Sequence, residues 1–97
     1  MVPKVLQPIL WSRDINRLDI KKDKEYIIHQ VLAYGRWQDL VWLFKAYSKD
    51  EIAGVFVSQP AKDYRLPVLN FVKNFLLGIK QPLDFAKYDR NTPRLVG

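Results

Sequence analysis

The stretch YIIHQVLAYGRWQDLVWLF, Tyr26 to Phe44, decides the fold. Large apolar residues crowd both sides of one glycine, and the chain's single histidine sits among them. Ahead of the glycine, Ile20, Ile27, Val31 and Tyr34 fall on one face at helical spacing, and Ile28 and Leu32 widen it. Asp19 is a good N-cap, so the spacing predicts a helix from near Asp19 to Gly35. Gly35 stands where helices commonly end in a left-handed residue. Beyond it, Trp37, Leu40, Val41, Phe44 and Tyr47 form a second helical stripe, with Leu43 beside it. The short reversal makes the two helices neighbours with facing stripes.

Working outward, Ser48 to Glu51 (SKDE) matches a capping box and predicts a third helix over DEIAGVFVSQ, weakened by Gly54. PAKDYRLP reads as a loop between Pro60 and Pro67. Pro67 suits the first turn of a fourth helix, PVLNFVKNFLLGIK. Its apolar residues run nearly all round, which predicts either a central buried helix or a partner on its second face. Residues 1–18 read as an irregular arm, since Pro3 and Pro8 disfavour helix and ILW is a short anchor. Residues 81–97 read as a partly ordered tail pinned by Phe85 and Tyr88, with mobile last residues. The expectation is all-α: one domain, 1–97, a compact bundle of four to five short helices, with a helix-turn-helix-like C-terminal half as a variant.

The bulk composition narrows the function. A 97-residue chain buries roughly 60–65% of its unfolded surface, enough for one modest core. Without cysteine, disulfides and thiolate metal sites are excluded. No leader peptide or ~20-residue apolar span is read, so the protein is expected in the cytoplasm and away from membranes. Net charge is +6, and residues 61–97 hold +4 of it, with seven Lys/Arg against three acids. A basic surface favours nucleic acid, an anionic membrane or an acidic protein partner.

Catalytic chemistry finds little support. His29 has no marked nucleophile or orienting carboxylate and reads as structural. Scattered acids with one histidine make a poor metal site. Asp50 and Glu51 read as first-turn residues that complement the helix dipole. The four isolated glycines form no phosphate loop. The sequence therefore predicts no enzyme, no catalytic residue, no metal and no cofactor. Trp37 shares the stripe of Leu40 and Phe44 and reads as core. Trp42 lies off it and, with Lys45 and Lys73, is the candidate protein contact. For nucleic acid the candidates are Lys62, Tyr64, Arg65 and Asn70, at the turn and start of the fourth helix. The loop is longer than a helix-turn-helix turn, and LPVLNFV is apolar for a groove-facing surface. The apolar fourth helix is also compatible with a homodimer.

The sequence resembles a small prokaryotic family of unassigned function. Its members read approximately ILFWD, then LDxxKHxxFIIxRVLxxG, then WxxLxxxYxxExI, then a segment ending in LNF. Here these stand as ILWSRD (9–14), LDIKKDKEYIIHQVLAYG (18–35), WQDLVWLFKAYSKDEI (37–52) and VLNFV (68–72). Asp23 replaces the usual histidine, and RLPV (65–68) replaces a polar turn. Family members are often encoded beside abortive-infection-type nucleotidyltransferase toxins. The resemblance thus implies an antitoxin or antitoxin-like partner. The expected mechanism is occlusion of the toxin's cleft by exposed apolar and basic groups, Trp42, Lys45, Lys73 and Arg65. The alternative is a DNA-binding autoregulator using residues 49–80 on duplex DNA.

Overall fold

The structure, a computed structural model, describes residues 2–80 and 82–89. They form four helices: α1 (Lys24–Tyr34), α2 (Trp37–Ala46), α3 (Lys49–Ser58) and α4 (Leu66–Phe71). A π-helical turn, Val72–Leu76, prolongs α4, and short 3-10 turns lie at Lys4–Leu6, Ile15–Arg17 and Phe85–Lys87. No strand is present among the described residues, and one isolated parallel bridge joins Tyr64 and Asp89. The class is all-α. No helix of the described residues is long and apolar enough to cross a membrane.

The central helix is α1, which packs against both α2 and α3. Six consecutive residues, Ile27 to Leu32, are buried, including His29 and Gln30. The helix begins later than its spacing predicts. Asp19 instead caps a preceding turn: its Oδ1 accepts from the amides of Lys21 and Lys22, at 2.8 and 2.9 Å. Asp23 Oδ2 reaches back to the Asp19 amide at 2.8 Å, so one turn leads into the next.

The Gly35 expectation is corrected. Its φ is −71°, ordinary extended backbone, so no left-handed residue ends α1. Glycine is required there for space. A Cβ would stand 2.5 Å from the Val31 carbonyl oxygen and 3.2 Å from Asp39 Cβ. The left-handed glycine is Gly78, with φ 61°, where the π turn ends and the Ile79 amide reaches back to the Lys73 carbonyl.

The capping box of α3 forms as its motif predicts. The Glu51 amide donates to Ser48 Oγ at 3.1 Å, and the Ser48 amide donates to Glu51 Oε1 at 3.3 Å. Pro67 sits in the first turn of α4. The arm contributes more than an anchor, because Val2, Leu6, Ile9, Leu10 and Ile15 all enter the core. It is tied down by side-chain bonds. Gln7 bridges the carbonyls of Leu10 and Arg13 and the amide of Ile15. Buried Gln30 donates to the Ile9 carbonyl at 2.9 Å. At the other end, buried Tyr88 donates to the Phe56 carbonyl at 2.6 Å and accepts the Tyr64 amide on its own carbonyl. The expected mobility of the last residues concerns positions outside the described ones.

Candidate functional site

Two concavities merit comparison. The first, about 300 Å³, is polar and is walled by Arg13, Lys22, Asp23, Glu25 and Asp63, with His29 at its inner edge. Two of its charges already pair with each other. Arg13 bridges to Asp23 at 2.7 Å and lies 4.6 Å over the Tyr26 ring. His29 is 2% exposed, and both ring nitrogens are occupied. Nε2 meets the Gln59 carbonyl, and Nδ1 lies 2.8 Å from the Tyr64 hydroxyl. A carbonyl can only accept, so Nε2 carries the proton and Tyr64 donates to Nδ1. Burial disfavours the imidazolium and lowers the His29 pKa below its ordinary 6.5, against smaller opposing effects of the Gln59 bond, Glu25 and Asp63. The result is a neutral structural histidine in a ring cluster. Phe56 and Tyr64 meet edge-on at 5.6 Å, and Phe56 and Tyr88 stack at 4.8 Å.

The second concavity, about 380 Å³, is an apolar groove lined by Trp37, Leu40, Val41, Phe44 and Lys45 of α2 and by Phe75 and Leu76 of the π turn. Trp37 is 70% exposed, Phe75 80%, and Val41 and Phe71 about two-fifths. Phe71 and Phe75 stack at 5.9 Å, one helical turn apart on the outer face. Lys45 is the sole charged residue among those lining it.

The two tryptophan assignments exchange places. Trp37, expected in the core, stands in solvent, whereas Trp42, the expected contact, is half-buried against the core. The reason lies in the register of α2. Its inward row is Asp39, Leu40, Leu43 and the following Tyr47, and sequence patterning treats an aspartate as surface. Asp39 is buried because its carboxylate accepts the Arg36 amide at 2.8 Å, closing the first turn of α2. The second apolar row, Trp37, Val41 and Phe44, is thereby turned to the groove. The signal available in the sequence was that α2 carries two apolar rows while its core needs one.

Of the other expected contacts, Lys45 lines the groove, and Lys73 does not. Lys73 Nζ instead donates to the Ile79 carbonyl at 3.1 Å and so closes the π turn. The nucleic-acid set is corrected at Tyr64, which is fully buried with its hydroxyl on His29, its pKa pushed well up by burial. A base could not reach it. Arg65 and Asn70 are exposed at α4, and Lys62 is half-buried. The helix-turn-helix variant is corrected too. α4 has six residues before its π turn, and seven residues separate it from α3. The fourth helix is also not the central one, since Leu66, Phe71 and Phe75 stay exposed while Leu69 and Val72 are buried. Among the described residues, no group of three or more His, Asp or Glu could hold a metal ion.

Comparison with curated proteins finds no match, and neither does comparison with solved structures. A family of unknown function, DUF6922, matches residues 5–56, 52 of the 97, which take in most of the arm, α1, α2 and most of α3. The chain that places these side chains around α1 therefore belongs to this family of unknown function, DUF6922.

Proposed function

We propose that the protein is a non-enzymatic interaction module that binds a protein partner through the α2 and α4 face. The observation that carries this reading is the set of large apolar side chains left in solvent there: Trp37, Val41, Phe71 and Phe75. Contiguous exposed apolar surface marks interaction sites, and aromatic residues are enriched at binding hot spots. The resemblance to chains encoded beside abortive-infection-type nucleotidyltransferases suggests the partner. In this reading the module acts as an antitoxin and covers the toxin's substrate cleft, with Lys45 meeting acidic or metal-binding carboxylates. Lys45 keeps its expected role, and Trp37 replaces Trp42 as the aromatic anchor. The test is co-expression with a nucleotidyltransferase encoded beside the gene. Co-elution together with loss of nucleotidyl transfer supports the reading. Separate elution with full transfer activity refutes it.

A second reading, duplex-DNA binding through residues 49–80, is favoured by the net charge of +6 and by the exposure of Arg65 and Asn70. DNA affinity should then fall by ~0.9 log unit per log unit of salt for each phosphate neutralised. Binding that is weak and indifferent to DNA sequence leaves only a basic surface.

A further inference from the structure

We infer that the groove between α2 and the π turn receives an amphipathic helix with acidic flanks, supplied by the partner protein. This deepens the interaction-module reading and rests on it. One wall is a single helical face: Trp37, Leu40, Val41, Phe44 and Lys45 fall at steps of three and four along α2. Phe75 and Leu76 make the opposite wall. Grooves of this kind take the apolar stripe of a helix, read at the same spacing. An extended strand has no edge to join, because the described residues contain only one isolated bridge. A small metabolite needs a few converging polar groups to orient it, and here Lys45 is the sole charged side chain among apolar ones.

Charge then separates the remaining occupants. Among the described residues no acid lines the groove, its cation is Lys45, and the chain carries +6. A second copy would bring together two +6 chains whose grooves each offer a lysine and no acid. A partner helix flanked by glutamate or aspartate meets Lys45 favourably.

The experiment uses the full chain and two labelled synthetic helical peptides. Both carry leucine at i, i+3, i+4 and i+7, one with glutamate on its flanks and the other with lysine. Fluorescence anisotropy should show the acidic peptide binding at least about tenfold more tightly than the basic one. Val41→Glu and Phe75→Ser should each weaken it by about tenfold or more, and Lys45→Glu by a few fold, with helical circular dichroism unchanged. Equal affinity of the two peptides, no binding of either, or indifference to both Val41→Glu and Phe75→Ser overturns the assignment. So does a dimer of the free chain that Val41→Glu dissolves, which would make a second copy the occupant. Failure of the two readings is distinguishable. If co-elution with the nucleotidyltransferase survives both substitutions, the module reading stands and the groove falls. If co-elution is absent while the acidic peptide binds in a groove-dependent way, the groove stands and that partner falls.

Discussion

At the scale of single residues, His29 carries the sharpest consequence. Its ring accepts from Tyr64 and donates to the Gln59 carbonyl, so it holds α1 to the segment following α3. Protonation would place a second N–H against the Tyr64 hydroxyl and a charge inside the core. The folded pKa lies below the unfolded value of 6.5, so the unfolded chain binds the proton more readily. Stability from this group is therefore full above about pH 6.5 and is lost as pH falls toward the folded pKa, by at most about 1.4 kcal/mol per pH unit. Urea unfolding between pH 7.5 and 5 should show that slope in the natural protein, and His29→Gln should remove its share. Tyr47 is the companion case, donating to the Ile20 carbonyl at 2.6 Å, with burial raising its pKa to about 12. It stays neutral throughout that range, so Tyr47→Phe should cost about 1–2 kcal/mol without changing the slope.

At the scale of elements, the glycines and caps make opposed predictions. Gly54 lies inside α3, and a methyl group added there would meet nothing within 4 Å, so Gly54→Ala should stabilise by about 1 kcal/mol. Gly35→Ala puts a methyl against the Val31 carbonyl and should destabilise by about 1–3 kcal/mol, even though its φ is ordinary. Denaturant midpoints of the two variants, measured side by side, check both signs. Ser48→Ala removes half of the α3 capping box and should cost about 1 kcal/mol in the same assay.

At the scale of the whole molecule, stability and binding are expected to separate. Phe75 is 80% exposed, so Phe75→Ser should leave unfolding within about 0.5 kcal/mol of the natural protein while weakening partner binding. Tyr88→Phe should do the reverse. It leaves the buried Phe56 carbonyl without that bond, costing about 1–3 kcal/mol, and it lies away from the groove. Thermal unfolding paired with a binding assay checks both. The family match ends at residue 56, inside α3, so the α2 wall lies within the matched region and the Phe75 wall beyond it.

Local patterns in the chain were enough for the helical class, the α3 cap, the position of Pro67 and the burial of Ile27, Ile28, Val31 and Leu32. Each depends on neighbours three or four residues away, and such contacts are written directly in the order of residues. The rest depended on partners far along the chain. Whether His29 is a ligand or a core residue turned on Tyr64, 35 residues away, and the inward face of α2 turned on its packing against α1. Where a helix carries two apolar rows, periodicity counts them equally. Only the packing of α2 against α1 chose which row was covered and left Trp37 facing solvent.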